Sequence, residues 1–190
     1  MSRLGVFLTS TRPGRVGQPI SEWFVQQARK EGSFEEVTQI DLLELNLPHL
    51  NEAGHPRGGK YEHPATQAFS ALVQAQDAFV FVLPEYNFAM PPALLNALDF
   101  LSAEWAYKAC GFVSYGGVSA GLRSAQMVRG IAPVLKMMPL PEAVNIPFVS
   151  REMTPEGTFR GGEVYERSAQ ALLQELARWT GALRTLRAPG

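Results

Sequence analysis

"AFVFVLPEYNFAMPPALLNALDFL", residues 78–101, changes character halfway along. Its first six residues are apolar without alternation, rich in aromatic and β-branched side chains, and too short for a helix. Such a run reads as a strand buried on both faces. A strand of that kind belongs in a parallel sheet covered by helices on both sides, because that layering removes both faces from water. Pro84 stops the strand, and a helix opens at Pro92 with Leu94, Leu95 and Leu98 at helical spacing. A strand-to-helix turn needs a breaker and a cap. It does not need the sequence Glu85-Tyr86-Asn87-Phe88.

The same unit recurs in both directions. Strands are expected over residues 4–9, 36–41, 110–114 and 144–149, with helices over 18–30, 65–75, 92–101, 121–136 and 163–186. Pro147 places the last strand at a sheet edge or ends it early. Five strands alternating with helices predict an α/β, flavodoxin-like doubly wound sheet, order 2-1-3-4-5, in one domain over residues 1–190. Residues 42–64 are long, polar and irregular, and read as a functional excursion or flap after the second strand.

Composition narrows the function. With 190 residues, 46% of them hydrophobic, the chain buries a substantial core. A formal net charge of -1 with dispersed Lys and Arg gives no electrostatic case for nucleic acid or an anionic membrane. No apolar stretch is long enough to span a bilayer or form a signal-peptide core, and the lone Cys110 forms no internal disulfide, so a cytoplasmic location is expected.

Ligands of doubly wound sheets sit beyond the carboxyl ends of the strands, where strand order reverses. Three loops meet there. After strand one comes Ser10-Thr11-Arg12-Pro13-Gly14-Arg15-Val16-Gly17, with hydroxyls, guanidiniums and free amides at a helix N-terminus. It matches neither the dinucleotide nor the triphosphate glycine pattern, and suits a terminal monophosphate or an ordinary solvated turn. After strand three, Pro84, Glu85, Tyr86, Asn87 and Phe88 offer aromatic walls and backbone donors for a planar heteroaromatic ring. After strand four, Ser114-Tyr115-Gly116-Gly117 brings bare backbone to the same edge. Phosphate pocket, ring site and glycine wall together describe a flavin mononucleotide (FMN) site.

The segments "STRPGRVG", "LPEYNFAMPPALLNALDFL" and "SYGGVSAGLRSAQ" resemble the NADPH-dependent FMN reductase-like flavoproteins of flavodoxin fold, which include quinone and azo-compound reductases. The resemblance implies FMN phosphate contacts at Ser10, Arg12, Arg15, Val16 and Gly17. It implies ring contacts at Pro84, Glu85, Tyr86, Asn87 and Phe88 on one side and at Ser114, Tyr115, Gly116 and Gly117 on the other. It further implies NADPH or NADH as co-substrate, a small-molecule electron acceptor, homodimers or homotetramers, and no catalytic acid or base from the protein. Phe88 and Ala89 stand where many relatives carry small or polar residues, and Cys110 where proline is common. These departures bear on acceptor preference.

Other residues have simpler readings. His49, His55 and His63 match no zinc spacing, Cys110 reads as a small buried hydrophobe, and Ser119 lacks a downstream histidine for a hydrolase triad. Lys60, Tyr61 and His63 are expected to reach over the exposed ring. Leu94, Leu95, Leu98, Phe100, Leu101 and Trp105 exceed what one inward helix face needs, which suggests a subunit contact. An electron carrier or a regulatory flavin-binding protein on the same fold is the alternative function.

Overall fold

Central strands buried on both faces organise the molecule. The structure, a computed structural model, describes residues 2–187; Met1 and residues 188–190 of the expected 1–190 domain lie outside the described residues. Five parallel strands run β1 (Arg3–Leu8), β2 (Glu36–Asp41), β3 (Ala78–Pro84), β4 (Ala109–Tyr115) and β5 (Met138–Ile146), ordered β2-β1-β3-β4-β5. β3 and β4 are buried along their whole length, as their largely apolar sequences require.

Helices α1 (Gly17–Glu31) and α6 (Glu163–Arg187) cover one face, packing Phe24, Leu172 and Leu176 over Val6, Val80 and Val113. The short α2 (Leu42–Leu45), with α3 (Pro64–Gln74), α4 (Pro92–Phe100) and α5 (Leu122–Ile131), covers the other. There Phe7, Phe69, Phe79 and Phe81 surround Trp105, with Trp105 ring centroids 5.0 Å from Phe79 and 5.7 Å from Phe7. The chain leaves β1 toward β2 and returns on its other side as β3. The loops after β1 and β3 therefore diverge and leave a crevice between them.

Two sequence expectations change. β5 starts six residues earlier than residue 144 and ends before Pro147. It pairs with β4 alone, at the sheet edge, so Pro139 and Pro141 sit where missing N–H groups do no harm, and a bulge opposite Gly111 absorbs the irregularity. The apolar surplus of α4 is also accounted for within the chain. Leu94, Leu98, Phe100, Leu101 and Trp105 are buried in the α3-α4-α5 face, and Leu95 is the one of that set left exposed.

The excursion between β2 and α3 is a clasp. Its first turn, α2, is capped by Asp41, which accepts a hydrogen bond from Leu43 N at 2.9 Å. Asn96 of α4 then holds the strap at two points, donating to Pro48 O at 2.7 Å and accepting from Leu50 N at 3.0 Å. The Glu52 carboxylate accepts from Glu62 N and His63 N, closing the N-terminus of α3. Tyr61 points away from the carboxyl edge. Its hydroxyl donates at 2.8 Å to Glu104, in the turn Ala103–Trp105 that leads into the amino end of β4. Tyr61 is thus committed away from the crevice, and its expected reach over a ring there does not occur; His63 is held at the start of α3 by Glu52 and Asn51. Replacing Asn96 with alanine removes two hydrogen bonds and is expected to cost about 1–2 kcal/mol of stability, read by urea denaturation. Unchanged stability would show that the strap holds without this clasp.

Candidate cofactor site

The crevice takes its shape from how each loop satisfies its own backbone. At the end of β1, Thr9 donates from its backbone N–H and its hydroxyl to Val82 O, keeping β1 and β3 paired to the rim. Ser10 is buried just beyond, its hydroxyl 2.7 Å from the Tyr86 hydroxyl. α1 then begins without a side-chain cap at Val16 and without an acidic residue in its first turn. Its leading N–H groups and the positive end of its dipole thus face the crevice uncompensated, a ready anion seat.

The two arginines of this loop have different fates. Arg15 is turned inward: one guanidinium nitrogen donates to Ser10 O at 2.9 Å and to Asp41 at 2.6 Å, and the second also donates to Asp41. Both side chains are nearly buried, 9% and 6% exposed, so the charge of Arg15 is already matched. Here Arg15 ties Ser10 to the end of β2, so the expected contact with a phosphate would compete with this ion pair. Arg12 is exposed and lies over the Tyr86 ring, 5.7 Å from its centroid. It is the cation of the loop available to a ligand.

After β3 the chain makes a tight reversal. Tyr86 and Ala89 exchange backbone hydrogen bonds of 2.9 Å, with Asn87 at φ 50° and Phe88 at φ 68° between them, a type I′ turn. Asn tolerates this region; a bulky aromatic there is strained. Glu85 N donates to Tyr115 O, so among the described residues the amides of Asn87 and Phe88 are the ones in this turn left for a ligand. The Glu85 side chain is turned to the neighbouring loop and accepts from the Ser119 hydroxyl (2.9 Å), Arg123 N (3.1 Å) and the Arg123 guanidinium (2.7 Å). Burial pushes its carboxyl up, but the bonds from Arg123 and Ser119 outweigh this and hold it below the usual carboxylate range.

The loop after β4 is fixed from beneath. Ser114 is fully buried and donates to Ala120 O at 2.8 Å, so it supports the loop and does not face the crevice. Gly121, at φ 77°, lies so close that a Cβ would stand 2.7 Å from Tyr115 N. Tyr115 reaches back to α1, where its hydroxyl would be 2.4 Å from a Cβ on Gly17. Gly17 is thus needed for the close approach of the tyrosine. Burial raises the Tyr115 phenol above its ordinary value, so it stays protonated. The segment after β5 backs the loop, with Phe148 N donating to Gly117 O (2.9 Å) and Val149 N to Gly116 O (3.0 Å).

These loops enclose a cleft of about 280 Å³, with Ser10, Arg12, Arg15 and Val16 on one wall, Pro84, Glu85 and Tyr86 on the second, and Tyr115, Gly116 and Val149 on the third. Asn87, Phe88 and Gly117 are exposed at its margin, while Gly17 and Ser114 lie beneath it. A larger cleft, about 840 Å³, opens at the amino edge beside Lys108, Lys136 and Arg187, away from all three loops. Convergent donors, not volume, identify the site.

The residues fit FMN. An uncapped helix start with Arg12 and Ser10 suits a phosphate, free amides at Asn87 and Phe88 suit ring heteroatoms, and Tyr115 and Gly116 close the far wall. Sequence reasoning missed Asp41, Gly121, Val149 and the Glu85-Arg123 tie. Asp41 was within reach, as an acid ending the strand beside a basic loop; the others depend on distant pairings. Among the described residues no three His, Cys, Asp or Glu side chains gather as metal ligands, and no helix is long and apolar enough to cross a membrane. Cys110 is buried in β4 with its thiol pushed up to about 12 by burial, no nucleophile at neutral pH.

Comparison with known proteins finds relatives in both sequence and fold. Residues 2–150 match the family described as NADPH-dependent FMN reductase. An NAD(P)H-dependent FMN reductase of Schizosaccharomyces pombe is 35% identical over 138 residues, 72% of this chain and 68% of the relative. Another NAD(P)H-dependent FMN reductase, of Saccharomyces cerevisiae, is 32% identical over 147 residues, 71% of this chain and 75% of the relative. In fold, the chain superposes on the flavoenzyme FerB, an NAD(P)H:acceptor oxidoreductase of Paracoccus denitrificans, with a TM-score of 0.71 at 18% identity, covering 96% of this chain and 98% of that one.

Proposed function

The chain belongs to the NADPH-dependent FMN reductase family, and from that premise we propose that it is an NAD(P)H-dependent oxidoreductase, a single FMN-binding domain that passes two electrons to quinones or similar acceptors such as azo compounds or free flavin. The observation that carries the reading is the cleft itself, where the uncapped start of α1, the exposed Arg12 and the free amides of the Asn87-Phe88 turn converge. Bound FMN would supply the redox chemistry, the sum being NAD(P)H, a proton and a quinone giving NAD(P)+ and a hydroquinone.

The chain's own residues bind, orient and shield. Arg12 and the amides of α1 hold the phosphate, with Arg15 and Asp41 fixing the loop that presents them. The Asn87 and Phe88 amides orient the ring's polar edge and favour negative charge there. Tyr115 remains a neutral phenol, and the Glu85 carboxylate is occupied by Arg123 and Ser119, so neither serves as a mobile proton carrier. The chain supplies structure; the protons come from solvent. A cytoplasmic setting agrees with a lone, buried cysteine. We keep a homodimer or homotetramer as a proposal supported by the exposed Leu43, Leu50 and Leu95.

The decisive experiment is the visible spectrum of the purified protein followed by steady-state turnover of NADPH with a quinone. A flavin spectrum with turnover supports the enzyme; bound flavin without turnover favours the regulatory or carrier alternative. Arg12 provides the residue-level test. Arg12→Ala is expected to weaken FMN by about 1.5–3 kcal/mol, measured by fluorescence titration, with riboflavin affinity little changed. Equal losses for both ligands would move the arginine away from the phosphate.

A further inference from the structure

Phe88 is held in a conformation that disfavours it, in a position where it packs against little of its own chain. It adopts φ 68°, and 67% of its surface is exposed. Neither propensity nor core burial explains it. What holds it is a chain of contacts across two loops: the Arg123 guanidinium stacks on the ring, 4.0 Å from its centroid, and is fixed by Glu85, which in turn takes Ser119 and Arg123 N. One face of the phenyl ring is backed by a cation and the other is open, two residues beyond Tyr86 of the cleft. The same device recurs at the opposite margin, where Phe148 sits at φ 45° with Arg151 4.7 Å from its ring centroid.

We propose that Phe88, backed by Arg123, is the wall on which the electron acceptor stacks, and that it selects planar fused-ring acceptors over single-ring ones. This rests on the oxidoreductase reading above. Stacking on an open aromatic face grows with overlapping area, so a second fused ring gains contact that a single ring lacks. The backing cation fixes the ring's orientation before the acceptor arrives, which lowers the ordering cost of binding.

The test uses the FMN-loaded protein and its Phe88→Ala and Phe88→Leu variants. The ratio of kcat/KM for 1,4-naphthoquinone to that for 1,4-benzoquinone is expected to fall about tenfold in both variants. Affinity for 4-hydroxycoumarin, a planar redox-inert probe followed by the bound-flavin absorbance, is expected to fall similarly. Leucine keeps the apolar bulk, so a merely structural role for Phe88 would leave the Leu variant close to wild type. Equal losses on both quinones, or an unchanged hydroxycoumarin affinity, overturns the assignment while the enzyme reading stands. A wild-type protein that binds FMN yet reduces neither quinone overturns both.

Discussion

Replacing Asp41 with alanine is expected to lower stability by about 3–5 kcal/mol, the range for leaving one partner of a buried ion pair uncompensated. Arg15 and Asp41 are nearly buried and joined through both guanidinium nitrogens, and Asp41 also caps α2. Removal of the carboxylate strands the guanidinium in a poorly solvated loop and uncaps the first turn of the excursion. The double replacement Arg15→Met with Asp41→Leu is expected to recover most of the loss, since well-packed apolar pairs commonly match buried ion pairs. Urea denaturation of the single and double variants gives the cycle. The division of labour between the arginines follows: Arg15→Met is expected to destabilise the fold while weakening FMN less than Arg12→Ala does. If Arg15→Met is the more damaging to FMN affinity in protein that is still folded, the ion pair opens on binding and Arg15 reaches the phosphate after all.

That division was not legible in the sequence, and the reason is general. Local spacing places both arginines in the loop after β1, but whether a charge is free depends on what the next strand brings alongside. β1 and β2 pair in register with Leu8 opposite Asp41, which puts an acid at the root of the loop. The sheet order was readable because it rests on short apolar runs without alternation, such as β3, set between helical patterns. The edge strand was harder. β5 contains Pro139 and Pro141 and a bulge, features that obscure the pattern yet are harmless where one side is unpaired. The excursion misled for a different reason. Residues 42–64 read as a functional excursion or flap, and what the sequence does not show is how the segment is held. Glu52 closes the start of α3, Asn96 of α4 clasps the backbone at Pro48 and Leu50, and Tyr61 bonds Glu104, partners distant in sequence.

Of the glycines after β4, Gly121 is expected to matter far more than the Gly116-Gly117 pair that draws the eye. Gly121→Ala places a methyl group 2.7 Å from Tyr115 N and 2.8 Å from Tyr115 O, both backbone atoms of the last β4 residue, at a φ of 77° that alanine rarely adopts. The left-handed conformation costs an alanine about 1–2 kcal/mol, and forcing the strand end aside adds about 1–3 kcal/mol, so about 2–5 kcal/mol of stability is lost. Displacing Tyr115 carries further, because its hydroxyl rests against Gly17 and its carbonyl accepts from Glu85 N. All three loops then shift together, and FMN affinity falls with stability. Gly117→Ala is the contrast: nothing lies within 4 Å of its Cβ position and its φ is not positive, so stability should stay within about 0.5 kcal/mol. Any FMN affinity lost in Gly117→Ala therefore reports a contact with the ligand itself. Thermal denaturation with flavin titration on both variants separates the two effects, and a Gly121→Ala protein as stable as wild type would mean that the end of β4 yields more readily than its packing implies.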